Sequence, residues 1–295
     1  MNQPHTAPLM PLTLMTQLQA HVGILATTIG GRLATTGLEN AATYIEQELG
    51  SFGYAPQRQT FTVAGQTFTN IEVEITGAQH PEEILVIGAH YDTAGDFPGA
   101  NDNGSGVAAT LELSRHFATA KPARTVRYVF FANEEPPYFQ TPAMGSYVYA
   151  RRCRERNEDI VAMLSLETIG FYTDEPGSQT YPIGFHPGYP DRGNFLGFVA
   201  DLKSAFLLGR ALKAFRAATS LPAQGVAAPS SIAGIGWSDH WSFWQFGYKA
   251  IMLTDTAPFR YPYYHTAQDT PDKLDYTRFT DAVQGIAALV DHLGN

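Results

Sequence analysis

Four short apolar runs constrain this chain more than any other feature. They cover residues 84–88, 126–132, 161–166 and 249–254. Each is rich in Val, Ile, Leu or Phe, and none alternates cleanly between apolar and polar. That is the pattern of a strand covered on both faces. Helical periodicity lies between and after them, near 104–118, 144–156, 202–218, 238–246 and 276–292. Strands alternating with helices predict an α/β fold, with a mixed, mainly parallel central sheet and helices on both faces. Upstream, 12–27 and 38–50 read as helices, and 58–63 and 68–75 alternate as a hairpin around Gly65. No repeat, low-complexity tract or linker-like stretch divides the 295 residues, so a single domain is expected. The Pro-, Gly- and Asp-rich stretch 173–194 reads as a loop excursion.

Charge narrows the partners. The formal net charge is −9, from 19 basic and 28 acidic side chains, which argues against nucleic acid or an anionic membrane. The one basic cluster, Arg151-Arg152-Cys153-Arg154, is followed by Glu155, Glu158 and Asp159 and reads as a solvated helix end. Cys153 is the only cysteine, which excludes an intrachain disulfide and a thiolate metal cluster. The first Lys or Arg is Arg32, and Pro8 and Pro11 interrupt the apolar N-terminal stretch, so no signal peptide is visible. No run reaches the length of a membrane span. Both features point to a cytoplasmic protein.

The polar residues that follow the apolar runs carry the chemistry. His90-Tyr91-Asp92 follows the first run, with Asp102 further along the same Gly-rich loop. Asn133-Glu134-Glu135 follows the second, Glu167 the third, and Asp255 the fourth, with His265 beyond it in "YYHTAQDT". In open α/β sheets, ligands sit at the carboxyl ends of the strands. Acids gathered at one such edge repel each other unless a cation holds them. Two His and several carboxylates with no Cys suit zinc or another first-row divalent ion.

In order, "GAHYD", "GANDNGSG", "NEE", "LET", "SDH" and "YYHTAQDT" resemble peptidase family M28, the zinc-dependent aminopeptidases, over roughly residues 80–280. The resemblance implies a zinc-aminopeptidase-like fold and hydrolysis of N-terminal peptide bonds by a metal-activated water. It implies two Zn²⁺ per chain and a peptide substrate with a free N-terminus. It assigns His90, Asp102, Glu135, Glu167 and His265 as metal ligands, with Asp102 bridging. Glu134 becomes the general base and Tyr264 the oxyanion donor. Asp92 would orient His90, while Asp239 and His240 fall in the supporting layer or the substrate pocket. One departure stands out: Glu167 occupies a position where many relatives carry Asp, one methylene shorter. Glutaminyl cyclases share the fold and bind one zinc, so conversion of N-terminal Gln to pyroglutamate is the alternative. Tyr264 stands where those cyclases carry Trp.

Plainer roles compete at several positions. Asp102 also reads as the N-cap of the helix starting near Gly104. His240 divides between site wall and helix packing. His5, His21, His80, His116, His186 and His292 have no ligand-like context. Trp237 or Trp241 is expected at a pocket rim, and Phe259, Tyr261, Tyr263 and Tyr264 as an apolar subsite. No G-x-S-x-G elbow supports a serine hydrolase.

Overall fold

The structure is a computed structural model that describes residues 11–33, 35–182 and 188–295. Its strands are β1 (Gln57–Val63), β2 (Gln66–Ile75), β3 (His80–His90), β4 (Arg124–Phe131), β5 (Asp159–Glu167), β6 (Leu196–Ala200), β7 (Ala223–Ala227) and β8 (Ala250–Thr254). All lie in one sheet in the order β1-β2-β4-β3-β5-β8-β6-β7. The central pairs β4/β3, β3/β5 and β5/β8 are parallel, whereas β1/β2, β2/β4 and β6/β8 are antiparallel. The α/β architecture with a mixed sheet is therefore as expected.

The lack of alternation in the apolar runs has a direct cause. Leu85, Ile87, Leu164 and Leu166 point into one core, and Val86, Val129, Phe131 and Met163 into a second. Both faces are covered, so every position must be apolar. On the first face lie α1 (Pro11–Gly23), α2 (Thr35–Ser51), α3 (Gly104–Phe117), α5 (Ala205–Ala218) and α7 (Tyr276–Gly294); α4 (Gly145–Glu155) and α6 (His240–Gln245) cover the second. Each fully buried Leu, Ile or Phe contributes about 1.5–3 kcal/mol.

Two strands were not legible. β6 (LGFVA) and β7 (AQGVA) are five residues each, with a glycine inside, and carry too few branched residues to read as strands. They form through tertiary context: Phe198 of β6 packs edge-on against Phe215 of α5, with ring centroids 5.2 Å apart. The described residues of 173–194 form neither helix nor strand. No described helix is long and apolar enough to cross a membrane.

The cap of α3 corrects one expectation. Asn103, not Asp102, caps this helix, its Oδ1 accepting from Gly106 N at 3.0 Å. The same oxygen accepts from Thr168 N, and Asn103 Nδ2 donates to Leu166 O, so the cap also ties α3 to the end of β5. Asp102 is left with its carboxylate turned toward two histidines.

Candidate metal centre

Parallel strands end on the same edge, and that edge gathers the expected residues. His90 is the last residue of β3, Glu134 and Glu135 follow β4, Glu167 ends β5, and His265 lies on the loop after β8. His90 Nε2 is 3.5 Å from Asp102 Oδ1 and 3.1 Å from Glu167 Oε2. His265 Nε2 is 2.9 Å from Asp102 Oδ2 and 3.3 Å from Glu135 Oε1. Three triads result at this edge, His90–Asp102–Glu167, Asp102–Glu135–His265 and His90–Glu134–Glu135, and in each the donor atoms lie within 4.8 Å of one another. Asp102 belongs to the first two, offering one oxygen to each. The extra methylene of Glu167 does not take it out of reach, and Ser238 Oγ donates to its Oε2 at 2.7 Å.

The hydrogen-bond inventory tests whether a cation fits. His90 Nε2, His265 Nε2, Asp102 Oδ2 and Glu135 Oε1 are buried atoms without a hydrogen-bond partner. Buried polar atoms are nearly always satisfied. Four orphans from four residues converging on two points are what a divalent ion would satisfy, and nitrogen and oxygen donors without thiolate suit zinc.

Electrostatics agree. Burial and the neighbouring acids push Glu134 well above the ordinary carboxylate range, and burial with Asp102 nearby pushes Glu135 up to about 8. Burial also raises Glu167. Burial opposes ionisation of Asp102, but His265 and His90 outweigh it and hold its pKa down. Acids crowded in this way invite a cation, whose charge inverts the local pKa balance.

A supporting layer holds these side chains. Asp92 Oδ1 lies 3.4 Å from His90 Nδ1, and its two oxygens accept from the backbone N–H groups of Glu134 and Glu135 at 3.1 and 3.0 Å. Asp269 accepts from Asn101 N, Asp102 N and Tyr261 Oη at 2.8, 3.0 and 2.7 Å. Asn101 Nδ2 in turn donates to Asp255 at 2.9 Å. Arg32 is fully buried and donates to the carbonyls of Leu25, Gly30, Tyr91, Pro98 and Gly99. Sequence reasoning missed Arg32 and gave Asp269 no role. Asp269 lies inside "YYHTAQDT", so the motif contained a signal; Arg32 had none.

Backbone strain concentrates here. Asn133, Thr168, Thr256 and His265 all have positive φ, between 45° and 63°. A β-branched Thr in that region is a true outlier, and such strain persists where surrounding structure over-determines it.

The remaining expected residues fall in different places. Tyr264 stacks on the His265 ring at 3.8 Å. Its hydroxyl has no hydrogen-bond partner among the described residues, and burial pushes its pKa far up. Asp239 is fully buried, both its oxygens lack partners, and burial raises it to about 7. His240 packs: its Nε2 contacts Ile235 O at 2.7 Å, its ring meets Trp244 edge-on, and burial lowers it to about 4. An apolar cavity of about 100 Å³ opens beside Glu167 and Tyr264, and Trp237 and Phe259 line it while Trp241, Tyr261 and Tyr263 do not. His21 bonds to Tyr44 and Glu112 away from the site. His5 and His186 lie outside the described residues.

The fold and this site define a class: residues 70–290 match the profile of peptidase family M28, and the chain belongs to that family. Among its relatives is the uncharacterized protein YfbL of Escherichia coli strain K12, 35% identical over 288 residues, covering 93% of this chain and 87% of that protein. Solved structures of the same fold include a zinc aminopeptidase from Bacillus subtilis, with a TM-score of 0.73, 15% identity, and 95% of each chain covered. Another is the glutaminyl cyclase of Fimbriiglobus ruber, with a TM-score of 0.68, 18% identity, and 97% and 96% of the two chains covered.

Proposed function

We propose that the chain is a zinc-dependent aminopeptidase that removes single residues from the N-terminus of peptides. The observation that carries this reading is the sharing of Asp102 between two ligand triads. His90, Asp102 and Glu167 would hold one ion, and Asp102, Glu135 and His265 a second, about two zinc per chain. Zinc bound there supplies a water of lowered pKa and a polarised substrate carbonyl.

The chain's own residues supply the rest. Glu134 has no hydrogen-bond partner for its carboxylate among the described residues, and Asp92 fixes its backbone. Its raised proton affinity suits a group that takes a proton from the attacking water and passes it to the leaving amine. Tyr264 keeps its proton and offers the free hydroxyl to the oxyanion. The negative charge of Glu134 and Glu167 would also attract a substrate's α-ammonium, which favours terminal over internal bonds. The unbroken eight-stranded sheet supports one catalytic domain.

The test is zinc content by elemental analysis, paired with aminoacyl-p-nitroanilide turnover before and after chelation. Glu134→Gln should keep its zinc and lose about 10²–10⁴ in kcat; near-normal turnover by that variant would refute the base assignment. A Gln-leading peptide separates the cyclase alternative, since pyroglutamate and ammonia, rather than free Gln, would sink the aminopeptidase reading.

A further inference from the structure

The described residues of the 173–194 excursion have no helix or strand to satisfy their backbone, so other groups must hold them. Thr180 N and Thr180 Oγ1 both donate to Phe259 O, at 2.9 and 2.8 Å. The next residue, Arg260, buries its side chain at the base of the excursion. Its Nε donates to Gln179 Oε1 at 2.8 Å, and its Nη1 donates to Phe195 O at 2.9 Å and Phe171 O at 3.4 Å. The guanidinium also lies 4.5 Å from the centroid of the Phe195 ring. Gly193 gives the side chain its passage, because a Cβ there would come within 2.8 Å of Arg260 Cγ and Cδ. One cation therefore ties both limbs of the excursion to the loop after β8.

A buried cation is costly unless an opposite charge compensates it. Among the described residues, no carboxylate makes a contact ion pair with Arg260. The compensating charge is Asp255, which is fully buried. Burial lowers Arg260 to about 10, and Asp255 is the group that most opposes the shift. Burial raises Asp255 to about 7, and Arg260 is foremost among the groups holding it down. Hydrogen bonds join the two groups through a shared residue. Phe171 N donates to Asp255 Oδ2 at 2.8 Å, while Phe171 O accepts from Arg260. The same Asp255 oxygen accepts from Asn101 Nδ2 at 2.9 Å, and Asn101 Oδ1 accepts from Gly170 N at 2.9 Å. The Asn101 side chain is thus held at both ends, and the next residue in the chain is Asp102.

We propose that Arg260 and Asp255 form a buried charge pair that positions Asp102, acting from the base of the excursion through Phe171 and Asn101. Both are positioning residues, since neither belongs to a candidate ligand triad. The route has a direction. Arg260 keeps Asp255 ionised, the carboxylate holds Asn101 and Phe171, and Asn101 fixes the start of the peptide that carries Asp102. The excursion and the candidate metal centre are thereby coupled, and loosening one loosens the other. This inference rests on the reading of Asp102 as a shared zinc ligand, but zinc affinity can be measured without any substrate.

The test is zinc affinity of the folded full chain by chelator competition, with urea unfolding and aminoacyl-p-nitroanilide turnover measured on the same samples. Asp255→Asn keeps an oxygen for Asn101 and Phe171 and removes only the charge. It should weaken zinc binding about 10-fold, as should Arg260→Met. The double variant should also lose about 10-fold rather than about 100-fold, because both residues act through one route. Arg260→Lys keeps the charge and should recover part of the loss. Arg152→Met is the control: that side chain bonds Glu72 at 2.9 Å and covers Tyr149 away from the site, so its loss should lower stability and leave zinc affinity unchanged. If Arg260→Met does not fold, Asp255→Asn decides alone. Single variants that lose stability but keep zinc affinity within about 2-fold of wild type, a multiplicative double variant, or a Lys variant no better than Met would each overturn the inference and leave the aminopeptidase standing. The expected zinc losses in a chain that turns over no substrate support the inference and overturn the aminopeptidase. A wild-type chain that binds no zinc overturns both.

Discussion

Replacing Arg32 with Met probes the scaffold behind the candidate metal centre. The guanidinium donates to five backbone carbonyls at 2.8–3.1 Å. Leu25 O and Gly99 O keep second donors, Gly30 N and Gly104 N, so they lose only part of their bonding. The carbonyls of Tyr91, Gly30 and Pro98 have no other donor among the described residues. Each orphaned carbonyl costs about 1–3 kcal/mol. Water can reach Gly30 and Pro98 from the half-buried side, which leaves the Tyr91 carbonyl as the main loss, about 1–3 kcal/mol. The charge matters as well. Burial lowers Arg32 to about 10, partly offset by Asp269, Asp102, Asp92 and Glu135, so it stays cationic and balances the acidic edge at neutral pH. Loop 98–102 carries Asp102, and loosening it should weaken zinc binding about 10-fold. Urea unfolding reads the stability and chelator competition the zinc affinity. Arg32→Lys keeps the charge but not the planar fork, and should recover only part of the loss. A loss under about 1 kcal/mol for Arg32→Met, or a fully restored Lys variant, would show the fork is not what holds these loops.

Two further outcomes are expected. Asp269→Asn keeps one oxygen but turns an amide N–H toward a backbone N–H, so zinc affinity should fall about 10–100-fold in chelator competition, and unchanged affinity would remove Asp269 from the supporting layer. Glu112 is buried; burial opposes its ionisation, yet His21 and Arg115 hold its carboxyl below its ordinary 4.5. A depressed carboxyl pKa adds stability that is present above 4.5 and is lost as the pH falls through the folded-state value. Glu112→Gln should therefore cost about 1–3 kcal/mol at pH 7 and progressively less in acid, by urea midpoints across that range, and a pH-independent gap would contradict the linkage.

Much of the candidate site was readable because its residues follow the apolar runs closely in sequence. His90, Glu134, Glu135 and Glu167 fall at or just after strand ends, so the parallel topology alone places them on one edge. Asp102 and His265 were readable through their motifs. The cap was misassigned because Asp and Asn are equivalent N-cap formers, and only the fold shows Asn103 bonding Gly106 while Asp102 turns to the histidines.

The sequence by itself determined the doubly covered sheet, the candidate ligand set and the family. Those depend on residue type and local order: apolar runs need cover on both faces, and acids at strand ends need a cation. Tertiary structure decided the rest, because it joins residues that sequence order separates. Arg32 reaches carbonyls 59 to 67 residues away, and Asp269 reaches Asn101 across 168. β6 and β7 become strands only by pairing beside β8, and that pairing sets Gly197 and Gln224 in one row with Glu167. No spacing in the chain encodes that row, since register is fixed when the sheet assembles.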